Sequence, residues 1–572
     1  MGSRSVALLL VICTACGGAG VRRFAAQPIV WDDDDRRPFT PAPAARTEPY
    51  FWDAIDHLVF RPVSELWTFQ PRREAINVNA LDEVPDSSWY VNRLSRRAMS
   101  SEEIARGACE PAPIEPPAPW RVLSGKRDGA TPGFVFEDAR GVRYLLKIDR
   151  SGQPEQATAA DAIVAAVYHA AGYHVPCNRV VGFTEAMLTL HPGARAHGER
   201  MTWSDLEAVL DVAVRLEDGR YRAVVSRFVD GEPLGPWSYL GTREGDPNDV
   251  VPHEARRELR GMFVLSAWVN HWDSRDNNTL SSWIEERSGV TVGRHLPPFA
   301  GVGMPSRSGA THVTAGAAGH GYVRHYLVDF GESLGLIEGG LRRELRFGHT
   351  QWMDAQHIVE DALTLGLLAR PWSPEGGGRH ELGPAGESLG YFDDHPFAPD
   401  QWRPDYWNGA FERHTERDAA WMARIIARFS REDVEALAQL GRYRDPIATR
   451  ELVRILQSRR RAILERYLTR LSPLSDPRLE GRELCLTDLA LTSRLRWPED
   501  RAYTSRVLDG AALPVRAEGA GVVCVGIPEL DRDYLVLELI ASTRDRETTR
   551  PLHVHLARTP RGLALVGLER VS

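Results

Sequence analysis

The chain has no surplus of positive charge. Against 78 Asp and Glu stand 70 Lys and Arg, a net of -8 over 572 residues. That sets nucleic acid aside, because a polyanion surface needs a basic face. Long apolar runs are missing too. The run Val6 to Cys13 is too short to span a bilayer. Cysteine is scarce, with six in all, and the pair at Cys-x-x-Cys spacing, Cys13 and Cys16, lies at the extreme N-terminus. No cysteine metal framework is therefore expected. What remains is ordinary globular material, 43% hydrophobic and 26% charged, long enough for two to four cores.

The N-terminus carries Arg4, an apolar stretch and then Thr14-Ala15-Cys16-Gly17. A basic start, short apolar core and small residues make a secretory signal. A Cys after small residues resembles the lipobox of bacterial lipoproteins, although Cys13 stands where that family usually has Leu. The resemblance implies cleavage before Cys16, lipidation of its thiol, and a membrane partner through that anchor. With Gly17 and no Asp next, it implies the outer membrane of the cell envelope. An ordinary cleaved signal peptide is the alternative. In an exported chain the other four cysteines either pair, with Cys485 and Cys524 in strand-like runs, or stay as buried thiols.

Six segments follow. Residues 1–16 are the signal. Residues 17–48, with the acidic run Asp32 to Asp35 and Pro38, Pro41 and Pro43, read as flexible linker. Residues 49–118 are an aromatic-rich extension, in which Asp86-Ser87-Ser88-Trp89 reads as a turn delivering an aromatic to a surface, and Ser100 or Ser101 with Glu103 caps a short helix. Residues 119–235 begin with two hairpin strands and a third ending in Lys147. The turn between the first two, Gly125 to Gly133 with Gly129, can close backbone amides over phosphates, although it is not a clean Gly-x-Gly-x-x-Gly. A helix after Pro154 follows, with Glu155 in its first turn. Glu155 either orients Lys147 or complements the helix dipole. Residues 184–220 read as an insertion with a helix near Ser204 to Leu216, and the strand Arg222 to Gly231 leads into a linker at Pro233 to Pro236.

Residues 236–472 hold the chemistry-bearing stretch. A helix over His253 to Val269 runs into Asn270-His271-Trp272-Asp273-Ser274-Arg275-Asp276-Asn277-Asn278. An apolar strand then ends in Asp329-Phe330-Gly331. Transfer of a phosphoryl group from a nucleotide needs one Asp beside the attacking hydroxyl, an Asn on one metal ion, a second Asp on metal against the phosphates, and a Lys on a neighbouring strand. The sequence holds these in order: Asp273, Asn278, Asp329 and Lys147.

These motifs resemble the protein-kinase-like superfamily, and most closely its atypical bacterial branches such as the HipA-like kinases. The wider text, including Pro154-Glu155-x-Ala157-Thr158 and Arg324-His325-Tyr326-Leu327-Val328-Asp329-Phe330-Gly331, also resembles a group of bacterial lipoproteins with a kinase-like core. The resemblance covers about residues 80 to 470. It implies an α+β, two-lobed kinase-like fold and use of ATP and Mg²⁺. By position, Asp273 or Asp276 would face the acceptor, Asn278 and Asp329 would hold Mg²⁺, and Lys147 with Glu155, Gly129 and Gly133 would hold the nucleotide. Two departures stand out: Arg275 replaces the His of the HipA-like pattern, and 50 residues separate Asn278 from Asp329, with a Gly/Ala/Ser/Thr-rich stretch from Gly301 to Gly321 that reads as mobile.

Helices continue to residue 472. The Arg-rich run from Arg454 to Arg466 reads as the solvated face of one, its other face carrying Leu452, Ile455, Leu456, Ile463 and Leu464. Pro473 to Pro477 reads as a linker, and residues 482–572 as a small β-sandwich that offers a surface for a protein partner. His553 and His555 fall on one side of a strand, either as a metal pair or as an exposed polar alternation. Three functions remain open: an envelope-anchored phosphotransferase, an inactive kinase-fold scaffold, and a structural lipoprotein unrelated to kinases.

Overall fold

Three short apolar strands separated by tight turns build the first sheet: β1 Trp120–Gly125, β2 Gly133–Glu137 and β3 Arg143–Lys147, joined antiparallel. In the computed structural model the described residues are 22–47, 50–65, 67, 73–109, 115–126, 131–149, 152–196, 198–286, 319–335, 347–351, 354–370, 388–529, 532–543 and 548–571. Cys16 and the leader, Gly129 within 127–130, most of the Gly-rich insert (287–318) and the stretch 371–387 lie outside them. The chain is α+β, with four sheets among the described residues. No helix among those residues is long and apolar enough to cross a membrane.

The first sheet gains β4 Asn178–Phe183, β5 Leu188–Ala196, β6 Glu199–Arg200 and β7 Tyr221–Arg227, in the order β4-β7-β3-β2-β1-β5-β6. Alternation puts Trp120, Val122, Phe134, Phe136, Leu146 and Phe183 into one core. The expected insertion at 184–220 is thus part of the sheet: β5 lies parallel to β1, and the helix there is shorter than expected, Trp203–Leu210.

Half of the helix Gln156–Ala171 is alanine, and all but one of its sixteen residues are buried. Eight alanines let it sit close to its neighbours on every side. A second sheet, β8 Glu232–Gly235, β9 Thr279–Glu285 and β10 Gly321–Leu327, runs in the order β10-β9-β8. The helices Arg257–Val269, Glu416–Ala427, Arg431–Gln439 and Pro446–Ile463 carry the largest core, with Trp268, Trp421 and Phe429 inside it.

Two charge patterns depart from expectation. Arg459 and Arg460 were expected on a solvated face and are buried. Arg459 donates to the carbonyl of Ala267, and Arg460 to those of Ile426 and Ala427. Those carbonyls end two neighbouring helices, where a cation is favoured. The extension, expected as an embellishment, is a keystone. Asp82, in a left-handed turn (φ 61°), meets Arg257, Arg424 and Arg570 from three separate elements. Trp89, expected at a surface, is buried and stacked on His325 at 3.5 Å. Ser100 caps the helix Ser101–Arg106 in a reciprocal box with Glu103.

Residues 22–47, expected as loose linker, are a docked arm. Phe24 donates its amide to the Tyr534 hydroxyl and packs 4.8 Å from the His555 ring. Asp35 accepts from the amide and hydroxyl of Ser88. Phe39 pairs with Gly321 at the edge of β10, and the Arg46 amide donates to Leu234 of β8. Prolines spaced along the arm fit this use, since an edge pairing spends few backbone donors. A helical run over 50–65 follows, with a π-helical turn at Asp56–Phe60. It is turned inside out: Asp53 and His57 are buried while Trp52, Val59, Phe60 and Val63 are exposed.

The C-terminal strands are β11 Leu474–Glu480, β12 Glu483–Asp488, β13 Arg501–Val507, β14 Ala512–Leu513, β15 Val515–Glu518, β16 Val522–Gly526, β17 Tyr534–Thr543, β18 Leu552–Thr559 and β19 Gly562–Arg570. They form two facing sheets, β11-β12-β16-β15 and β14-β13-β17-β18-β19, around a core of Leu484, Leu486, Val523, Leu537, Val554 and Leu556. The domain starts earlier than expected, because Leu474–Glu480 is strand β11 rather than linker. Cys485 and Cys524 oppose each other on β12 and β16 and form a disulfide; Cys109 and Cys177 form another. His553 and His555 take separate partners, Glu538 and Tyr534, so they form no metal pair.

Candidate functional site

The pairing of β9 with β10 explains how a 50-residue gap leaves two motifs adjacent. Thr279 opposes Leu327 at one end, and Glu285 opposes Gly321 at the other. The loop 270–278 enters at the first end and Asp329 leaves from it, so the Val328 amide donates to the Asn278 carbonyl at 3.0 Å. The insert departs from the far end, six residue steps or about 20 Å away.

Lys147 closes β3 and is nearly buried. Its Nζ donates to Asp329 Oδ1 at 2.7 Å and to Asp161 Oδ2 at 3.0 Å. Burial opposes the charge, but Asp161 and Asp329 outweigh it and raise the Lys147 pKa. Asp329 has a left-handed backbone (φ 59°), and its side chain keeps 41% exposure. Burial pushes its carboxyl up; Lys147 and then Lys126 prevail and hold it ionised, well below the usual range. Lys126 begins the β1–β2 turn and donates from Nζ to the Thr131 carbonyl. Desolvation lowers its pKa, with Asp329 opposing.

Asp161 is the partner that sequence reasoning missed. Its Oδ1 accepts from Asn178 Nδ2 at 2.9 Å and from the Phe330 amide at 3.1 Å, while Oδ2 takes Lys147. It therefore ties β3, β4 and the Asp-Phe-Gly turn to one helix. A single carboxylate inside an Ala-rich helix was the available signal. Two turns further on, Tyr168 reaches His271 Nδ1 at 2.9 Å, and Phe330 packs against both rings. Burial pushes the His271 imidazole down to about 4, so it is neutral at pH 7.

Glu155 does not meet Lys147. It precedes the same helix at the N-cap position with a left-handed backbone (φ 67°), and its side chain, which makes no capping bond, accepts from Ser388 Oγ and the Arg444 amide. It joins two distant segments to the helix start. Gly133 sits opposite Lys147, where an added Cβ would fall 2.0 Å from the Leu146 carbonyl oxygen. That glycine serves the close approach of the strands.

In the loop 270–278, Asp273 is held from two sides. Asn278 Nδ2 donates to its Oδ2 and to its carbonyl, both at 2.7 Å, and Arg275 Nε lies 3.0 Å from Oδ1. Asp276, the second candidate base, faces away. It is wholly buried, with Arg61 Nη2 at 3.4 Å, His57 Nε2 at 3.4 Å and the Tyr239 amide at 3.2 Å. Burial pushes its carboxyl up, yet His57 and Arg61 hold it ionised. Asp273 is itself buried, its side chain 5% exposed, but Asp276 is the more enclosed of the two, shut in by His57, Arg61 and the Tyr239 amide from elements outside the loop.

The site therefore gathers Lys147, Asp161 and Asp329 in one cluster and Asp273 with Asn278 in a second, joined at the Asn278–Val328 backbone pair. The donor set of one carboxylate (Asp329) and one amide oxygen (Asn278) at neighbouring hairpin ends fits Mg²⁺, which takes hard oxygens and few protein ligands. No protein-family model, curated protein or solved structure matches the chain significantly.

Proposed function

We propose that this chain is a two-lobed, protein-kinase-like phosphotransferase that uses ATP and Mg²⁺, exported and held at the envelope, on the outer membrane, by a lipid at Cys16. The observation that carries the reading is Lys147 Nζ bridging Asp161 and Asp329, with Asn278 and Asp273 at the adjoining hairpin end. A purely structural protein gains little from converging two carboxylates and a lysine where one carboxylate stays 41% exposed. The two disulfides fit an oxidising compartment.

In this reading Lys147, kept charged at the end of β3, would hold the nucleotide's phosphates. Lys126 adds a second cation from the turn above. Asn278 and Asp329 would hold Mg²⁺. When bound, ATP and Mg²⁺ supply the transferable phosphoryl group and its counter-charge. Asp273, fixed by Asn278, orients the acceptor hydroxyl and takes its proton. Asp161 holds Lys147 and the Asp329 turn in a single register. The C-terminal sandwich serves as the surface for a protein partner.

The test is thermal shift of the full-length protein in detergent with ATP, with and without Mg²⁺. A Mg²⁺-dependent stabilisation that disappears in Asp329→Asn supports the reading. Absence of a shift at millimolar MgATP sinks it and leaves a kinase-fold scaffold.

A further inference from the structure

The loop 270–278 is braced from outside the two lobes, by the helical run 50–65. His57 is buried between two carboxylates: Nδ1 lies 2.9 Å from the Asp53 carbonyl and 3.2 Å from Asp53 Oδ1, and Nε2 lies 3.4 Å from Asp276 Oδ1. Asp53 Oδ2 accepts from Asn277 Nδ2 at 2.9 Å and stands 3.7 Å from Arg275 Nη1. Arg275 in turn reaches Asp273. Arg61 from the same helix and Arg46 from the arm, the latter at 3.8 Å, complete the charge around Asp276.

We propose that Asp53 and His57 are positioning residues, which hold Arg275, Asp276 and Asn277 and thereby set Asp273. The proposal rests on the phosphotransferase reading for its catalytic consequence. Two physical points support it. Among its described side chains the helix buries Asp53 and His57 and leaves Trp52, Val59, Phe60 and Val63 exposed, so its described contacts with the loop are polar. Buried ion pairs contribute little net stability yet fix geometry strongly. The alternative use of these atoms is a metal site, since ligand atoms of Asp53, His57 and Asp276 lie within 4.8 Å of one another. Three guanidinium groups, Arg46, Arg61 and Arg275, already occupy the role of the cation.

The experiment uses the full chain with His57→Ala and His57→Gly, read by hydrogen exchange and by ATP turnover. The proposal expects exchange in the peptide 270–279 to rise about tenfold or more, with residues 156–171 and the C-terminal sheets unchanged. It expects kcat to fall about tenfold or more at unchanged MgATP affinity, because a small misplacement of the base acts on the chemical step. Added imidazole restores both readouts in His57→Gly. Unchanged exchange in 270–279, or a rise spread evenly over the chain, overturns it. So does a stoichiometric gain in Tm on adding Zn²⁺ to the wild type, which would make the trio a metal site. If the wild type neither binds nor turns over MgATP, the phosphotransferase reading falls, while hydrogen exchange still decides the bracing.

Discussion

Replacing Asp161 separates two contributions that one carboxylate makes at the site. Asp161→Ala removes the carboxylate from three buried donors: the Phe330 amide loses its acceptor, Asn178 Nδ2 keeps the carbonyl of residue 161 at 3.2 Å, and Lys147 Nζ keeps Asp329. Breaking a buried pair on one side costs about 3–5 kcal/mol. Lys147 keeps Asp329 at 2.7 Å, so the lower end, about 3 kcal/mol, applies. Asp161→Asn keeps an oxygen for Asn178 and Phe330 but turns its NH2 toward Lys147 Nζ, so the charge and the hydrogen bond to Lys147 are both lost; with Asp329 retained, the cost is about 1–2 kcal/mol. A chain with several cores does not unfold in one step, so native-state hydrogen exchange at β3 and at residues 156–171 is the suitable assay. Exchange limited by local opening should rise about a hundredfold in Asp161→Ala and about tenfold in Asp161→Asn. Both variants should also bind MgATP more weakly, since Lys147 then leans on Asp329 alone. Equal rates in the two variants, or rates unchanged from the wild type, would refute the assignment of Asp161 as the hub.

Asp82→Asn strips the charge that Arg257, Arg424 and Arg570 share, and should cost about 3 kcal/mol or more, read as a drop in urea midpoint together with looser docking of the C-terminal sheets. Opening the Cys485–Cys524 link, which closes 39 residues, should cost up to about 4 kcal/mol in the sandwich; Cys485→Ser with Cys524→Ser in a calorimetric scan checks this. The brace has a pH signature. Burial lowers the His57 pKa, but Asp276 and Asp53 outweigh it and raise it to about 10, against about 6.5 unfolded. A raised folded value means that the stabilisation from charged His57 is fully present below about pH 6.5 and lost as pH climbs through about 10. The stability gap between wild type and His57→Gln should shrink over that window; a gap independent of pH would count against a charged His57.

Local signals in the sequence led to much of the site. The alternation of β1 to β3 put Lys147 at a strand end, and the three- and four-residue apolar steps of Arg257–Val269 aimed the helix at Asp273. Periodicity reports a residue's own element and is silent on which distant group will meet it. Glu155 was the nearer acid in sequence, yet its position at the helix N-cap turns it toward Ser388 and Arg444, while Asp161, nearly two turns on, faces the strand. Asp276 looked equivalent to Asp273, because nothing local shows that a helix more than 200 residues earlier will close over it. The arm deceived for a related reason. Proline, arginine and aspartate without apolar spacing usually mean solvated chain, but here side-chain and edge-strand hydrogen bonds, which leave no period, hold the segment down.

That docking sets a length. Six residue steps lead from Cys16 to Arg22, and fully extended they reach at most about 22 Å. An acyl group on Cys16 would therefore moor the body on a leash far shorter than the molecule itself. The mooring point is the sandwich, where Phe24 is seated against Tyr534 and His555.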